Sequence, residues 1–244
     1  MATLIYDTAE SIFNYRKPLQ KSSEVNYKIQ FTRNKNLIEQ YKLLRKELYE
    51  SDPRFVGFRI FKEAHAEDYE DYDDQMVILS DGNRCYGGAC LRISTQEKYV
   101  TLDLENDIAP SNGKSYFSLQ EHFPEMELGK YSYAEFNRIV IHPSLRKGEA
   151  TRRIFQAVLN RCLDYRVRYM FGIGDCVRIR LYRQIYHHMG LDAHICNNVD
   201  IPVSDEYEGL KMLLLAGDMK NFYVTKNDPE ATCLTKPISN YKFY

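Results

Sequence analysis

The chain predicts a mixed α/β (α+β) architecture, and three stretches carry that reading. In "QMVILSDGNRCYGGACLRIS" two strand-like runs, 75–80 and 85–94, flank Asp81, Gly82 and Asn83, a strong hairpin signal. In "EFNRIVIHPSLRKGEATRRI" an apolar strand over about 135–141 runs through a glycine-bearing basic turn into a helix over about 149–165. "VRYMFGIG", 167–174, is a further apolar strand, and it feeds a helix over 176–189. Strands that lead directly into helices, beside a hairpin, call for a layered sheet-and-helix domain.

The remaining elements follow in chain order. Asn36 with Glu39 three residues on forms a helix cap, and Leu37, Tyr41, Leu44 and Leu48 follow at helical spacing, so 37–50 is an amphipathic helix. Asp52 and Pro53 end it. Residues 53–74 are mostly polar and acidic and read as loop or short helix. "YVTLDL", 99–104, reads as a third run extending the hairpin's sheet, and "LQEHFPEMEL" as a short helix or turn stopped by Pro124. The helix of 149–165 turns Ile154, Val158, Cys162 and Tyr165 to one face, and that of 176–189 turns Val177, Leu181 and Ile185 inward. After Gly190 and Leu191 the pattern weakens to a β tail, in which "YEGLKMLLLA" is strand or short helix and the last twenty residues are irregular.

Composition narrows the class. The 244 residues are 44% hydrophobic and 27% charged, an ordinary globular balance. No apolar run is long enough for a transmembrane segment, and the first residues lack a secretory signal. Cys85, Cys90, Cys162, Cys176, Cys196 and Cys233 show no C-x-x-C pair and no histidine at ligand spacing, so free thiols in a reducing cytoplasm are expected, with no metal site. Charge is unevenly spread. Seven acidic residues fall within 63–74, whereas 146–183 holds ten basic residues against Glu149, Asp164 and Asp175, a surplus of ten minus three, or seven. Such a run is either a solvated helix face or a surface for an anionic partner. No nucleic-acid motif accompanies it, and no nucleic-acid partner is expected.

The turn Arg146-Lys147-Gly148-Glu149-Ala150 stands where helix amides point outward unpaired and the helix dipole favours an anion. Glycine lets a backbone approach closely, and Arg146 adds a fixed charged donor. Further on, "RLYRQIYHHMGL" sets Tyr182 and Tyr186 four residues apart, along one edge of a helix that stops at Gly190. His187 and His188 are adjacent and point apart, so they do not form a shared ligand site. Cys176 stands at a helix start with no histidine tied to it.

"VIHPSLRKGEA" followed by "IYHHMGL" resembles the acyl-CoA-binding core of the GNAT acyltransferase superfamily, over about 75–191. That resemblance implies a GNAT fold, with a central mixed, mostly antiparallel twisted sheet flanked by helices. It implies that Arg146, Lys147, Gly148, Glu149 and Ala150 cradle the donor's pyrophosphate, that Ile139, Val140 and Ile141 hold the pantetheine arm by their backbone, and that Tyr186 protonates the departing thiolate. "LLRKELY", "DYEDYD", "GGACLRI", "HFPEMEL" and "EFNRIVI" occur in the order seen in the acyl-homoserine-lactone (autoinducer) synthases, and the long-chain N-acyl amino acid synthases share the same plan. This narrower likeness implies Glu135 as base or orienting carboxylate near an acceptor amine, and Arg45, Asp73, Arg92 and Arg138 as substrate-binding residues. It also implies acyl carrier protein as a partner. Asn137 stands where the autoinducer synthases carry serine or threonine, the acidic motif differs, and there is no tryptophan. These departures speak against S-adenosylmethionine as the acceptor.

The expectation is a single acyltransferase domain over 1–244, with an N-terminal helical region 1–74, the core 75–191 and a C-terminal β region 192–244. It moves a fatty acyl group from acyl carrier protein or acyl-CoA to the amine of a small molecule, with no tightly bound cofactor and no metal. The competing readings are an acetyl-CoA-dependent N-acetyltransferase and a catalytically silent binding or regulatory protein.

Overall fold

The strands are β1 (Lys28–Phe31), β2 (Met76–Ser80), β3 (Cys85–Ser94), β4 (Ser132–Ile141), β5 (Val167–Asp175), β6 (Asp192–Cys196) and β7 (Met212–Asp218). They come from a computed structural model that describes residues 27–53, 76–100, 102, 105, 118–146, 149–197, 199, 210–220 and 222. All seven lie in one sheet in the order β1-β2-β3-β4-β5-β7-β6. Every neighbouring pair is antiparallel except β4 and β5, which are parallel. The expected hairpin is β2–β3, turned through Gly82 at φ 103, a value open to glycine.

Helices cover both faces, which is why the inner strands are near-continuous apolar runs. On one face α3 (Ala150–Asp164) and α4 (Cys176–Met189) set Ile154, Phe155, Val158, Ile179 and Tyr186 against Leu91, Ala134 and Phe136. On the other face α1 (Lys35–Ser51) sets Leu37, Tyr41 and Tyr49 over Met76, Ile78, Cys90 and Val140. Beside α1 on that face, the short helix α2 (Leu119–His122) and the turns after Pro124 set Leu119, Phe123 and Met126 over Tyr133, Phe171 and Leu214.

Several local expectations change. The cap of α1 is Asn34, whose side chain accepts from the amides of Asn36 (3.0 Å) and Leu37 (3.3 Å), two residues before the expected cap. "YVTLDL" adds no strand at its described residues Tyr99, Val100 and Leu102. Both edges of β3 are already taken by β2 and β4, so Leu102 serves instead as a buried cover of the sheet. Tyr165 ends α3 and is 41% exposed, stacked under the Arg161 guanidinium at 4.9 Å. In α4 the inward face is rotated. Val177 and Leu181 are 46% and 37% exposed, while Ile179 and Tyr186 are buried, because the tyrosine rings supply the apolar stripe that aliphatic spacing alone had placed elsewhere.

Past 191, β7 lies between β5 and β6 and is buried along almost its whole length. The region before 75 contributes an edge strand, β1, as well as a helix. The acidic run 63–74 and the last twenty residues lie outside the described residues. Among the described residues no helix is long and apolar enough to cross a membrane.

Candidate active site

The parallel pair β4–β5 is hydrogen-bonded only from Ser132–Val167 to Glu135–Phe171. β4 continues to Ile141 and β5 to Asp175, so beyond Glu135 the ladder stops, and the stretch of β4 from 136 to 141 left unpaired with β5 is the candidate slot. On its other edge β4 bulges. Between the pairs Cys90–Asn137 and Gly88–Val140, β3 advances two residues and β4 three, so Arg138 and Ile139 together oppose Ala89. Arg138 takes φ 56, a left-handed conformation that costs a non-glycine residue about 1–2 kcal/mol. Its carbonyl accepts a hydrogen bond from the hydroxyl of Tyr41 on α1. The double glycine of "GGACLRI" is needed beside this bulge. A Cβ on Gly87 would lie 2.7 Å from the Val140 carbonyl, and one on Gly88 would lie 2.6 Å from that of Val77.

Glu135 is the last paired residue before the slot, and it is 0% exposed. A carboxylate that deep needs polar partners. The Asn137 amide donates to its Oε1 at 3.2 Å, and the register places Arg92 of β3 directly opposite it. Ala134 and Phe136 belong to the face covered by α3 and α4, so the alternation of the strand turns Glu135 and Asn137 to the face that carries α1. Arg45 is buried in α1, its guanidinium over the Tyr49 ring at 5.4 Å, and Arg178 of α4 lies 5.1 Å from the centre of the same ring. Arg178 also reaches Asp52 (3.7 Å) and Asp175 (3.5 Å), tying the end of α1 to the start of α4.

Tyr186 stands on the opposite face of the sheet from Glu135, edge-on to Phe155 at 4.9 Å between ring centres. Burial raises its hydroxyl well above the usual tyrosine range, with Cys162 and Tyr182 adding to the shift, so it is an O–H donor at neutral pH. Its place is fixed by the helix end. Gly190 at φ 87 donates to the His187 carbonyl and Leu191 to that of Tyr186, both at 3.0 Å, which is the paired C-terminal cap that glycine permits.

At the far end of β4 the chain turns through Pro143–Leu145. His142 accepts from the Ser144 amide at 3.3 Å, and the Arg146 side chain donates from Nε to the Ile141 carbonyl at 3.2 Å. Glu149 is the N-cap of α3 and makes no side-chain capping bond, and no acidic residue lies in the first turn. The amides of Ala150 and its neighbours therefore face the turn with the helix dipole behind them. Lys147, Gly148 and Asp73 lie outside the described residues.

The residues singled out in the sequence thus fall into three groups. Glu135 and Arg138 lie on β4, Arg92 stands opposite Glu135 on β3, and Arg45 is buried in α1, the helix that covers β4 at Val140. Arg146, Glu149 and Ala150 lie past the strand's end, joined to the first group by the backbone of Ile139, Val140 and Ile141. Tyr186 approaches from the other face. Two members were not foreseen as such. Asn137 looked like a mere departure from a family pattern, and only its spacing from Glu135 on one strand face hinted at a bond. Tyr41 looked like a core residue, because nothing local in sequence says where a buried hydroxyl ends.

No protein-family profile matches the chain, and no curated protein matches it in sequence. Solved structures do match. A mutant of agmatine N-acetyltransferase, in its apo form, is 12% identical, with 79% of this chain and 98% of that one covered and a TM-score of 0.50. FeeM, an N-acyl amino acid synthase from uncultured soil microbes, is 13% identical over 78% of this chain and 88% of its own, with a TM-score of 0.46. BjaI, a CoA-dependent acyl-homoserine lactone synthase, is 15% identical over 81% and 84%, with a TM-score of 0.48. The strand order, the single parallel pair and the likeness to the agmatine enzyme together give this chain the GNAT fold.

Proposed function

We propose that the chain is an N-acyltransferase that moves an acyl group from a thioester donor to the amine of a small molecule by direct attack. The observation that carries the proposal is the slot beside β4, with a buried carboxylate at one end and an uncapped helix start beyond the other. From Glu135 to Ile141 is six residues of strand, about 20 Å. A ligand that fills such a slot has an anionic end, a long extended arm and a reacting carbonyl at its tip. Phosphopantetheine has that form, whether it is carried by coenzyme A or by acyl carrier protein.

In this scheme the first-turn amides of α3 and Arg146, with Lys147 and Gly148, hold the phosphate end, and the backbone of Ile139–Ile141 holds the arm. The acceptor enters from the face under α1, where Arg45, Arg92 and Arg138 bind its polar groups, including any carboxylate. Glu135 takes one proton from the acceptor ammonium, and the freed nitrogen lone pair attacks the thioester carbon. The carbonyl oxygen becomes an oxyanion, held by a β4 amide. When the C–S bond breaks, the thiolate takes a proton from Tyr186, and the second proton, which the nitrogen sheds on becoming an amide, returns to Tyr186 through solvent. The products are an amide and a free thiol, and no covalent enzyme intermediate or metal takes part.

Intact-mass analysis after incubation with a panel of acyl-CoA and acyl-carrier-protein donors and small amines tests the proposal. A product heavier than the amine by one acyl group, with the donor thiol released in equal amount, is the expected outcome. Consumption of neither donor class with any amine would overturn it.

A further inference from the structure

Tyr41 is fully buried, yet it ends in a polar hydroxyl, and that hydroxyl donates to a backbone carbonyl on the far strand. The carbonyl belongs to Arg138, the left-handed residue of the β4 bulge. Every peptide described is trans, so in the 138–139 unit the N–H of Ile139 runs antiparallel to that carbonyl. Holding the carbonyl toward α1 therefore directs the Ile139 N–H away from α1, toward the side of the sheet that carries Tyr186. The register with β3 skips Arg138 and Ile139, and β5 stops pairing at Glu135, so this peptide occupies no regular ladder position on either side.

The reach of Tyr41 is itself held. The side chain of its neighbour Gln40 donates to the Asn83 carbonyl (3.0 Å) and accepts from the Cys85 amide (2.9 Å), locking α1 to the β2–β3 hairpin. Gly88 lets the ring lie against the sheet, since a Cβ there would stand 3.0 Å from Tyr41 Cδ2. Helix, hairpin and glycine thus converge on one hydrogen bond, at the peptide inside the β4 bulge.

We infer that Tyr41 is a positioning residue for acyl transfer: its hydroxyl sets the 138–139 peptide so that the Ile139 N–H meets the thioester carbonyl oxygen. This rests on the acyltransferase reading above. Tyr41 touches no substrate in this role and acts through the backbone, held by a cluster of apolar side chains from β2, β3 and β4.

Tyr41→Phe keeps the ring and deletes only the hydroxyl. Its kcat should fall about tenfold to a hundredfold, the range of a misdirected oxyanion donor, with KM for donor and acceptor within about twofold. A role confined to packing would lower the melting temperature and leave kcat at lower temperature unchanged. An amide spectrum of isoleucine-labelled protein gives an independent reading, using a CoA thioether ketone as a probe that presents a carbonyl but cannot transfer it. In the wild type the Ile139 amide should shift on probe binding, and in Tyr41→Phe that shift should vanish while probe affinity stays within about threefold. Equal shifts and equal kcat in the two proteins overturn the role of Tyr41 alone. A wild type that binds neither this probe nor the same ketone carried on acyl carrier protein overturns the donor reading as well. Should Tyr41→Phe not fold, Gln40→Ala, which loosens α1 but keeps the hydroxyl, should lower kcat in the same direction; an unchanged kcat there counts against the inference.

Discussion

In the proposed scheme the chemistry rests most on Glu135, a side chain with no exposed surface. Its Oε1 accepts from Asn137, so a neutral isostere can keep that contact, because a glutamine carbonyl accepts the same N–H. Glu135→Gln should therefore melt within a few degrees of the wild type, yet lose about 10²-fold in kcat, the size of a general-base contribution. Steady-state turnover beside a thermal melt checks both halves, and wild-type turnover would remove the base role. Asn137 gives the same residue a second meaning. Serine in that place has a shorter reach and no amide N–H to offer. Arg138 repeats the lesson, since its backbone angle, invisible in the sequence, matters as much to the site as its guanidinium.

At the scale of elements, α4 ends where it must for Tyr186 to face the core. Gly190 takes φ 87 with nothing near its α-carbon, so an alanine there is opposed by conformation and not by space. Gly190→Ala should cost about 1–2 kcal/mol, read as a lower urea midpoint with an unchanged slope. An unchanged midpoint would show that the cap does not hold the helix end. Elements with a strong local signature were readable from sequence: the β2–β3 hairpin from Asp81-Gly82-Asn83, the β4 strand and its turn from "IVIHPSLRKGEA", and the end of α4 from "HHMGL". What the sequence did not disclose depends on neighbours distant in the chain. The face of α4 turned on whether tyrosines or aliphatics met the sheet. "YVTLDL" has strand-like residues but no edge left to join. The bulge in β4 arises from a mismatch of count between two strands, which neither strand shows alone.

For the whole molecule, the basic segment 146–183 divides in two. Arg161 lies over Phe31, Arg168 pairs with Asp218 at 2.8 Å and Arg178 with Asp52, so these three brace the fold. Arg146, Arg152, Arg153, Arg166, Arg180 and Arg183 are exposed and keep the segment's outward charge. The buried acids set a different limit. Burial pushes the Cys85 and Cys196 thiols up to about 11 and raises the Tyr133 and Tyr186 hydroxyls as well. The ordinary values are 9.0 for cysteine and 10.0 for tyrosine, so above pH 9 the unfolded chain releases protons that the folded chain retains. Stability is then full below pH 9 and declines as pH rises. Melting temperatures measured from pH 8 to about 10.5 should fall steadily over that window, and a flat profile would contradict the burial of these groups.

The placing of β7 between β5 and β6 also orders events during synthesis. β6 is made before β7 but has no strand to pair with until β7 arrives, and the outer edge of β5 stays bare for the same interval. A ribosome must therefore deliver the chain as far as Asp218 before this side of the sheet can close, although all of β4 and the bulge were finished long before.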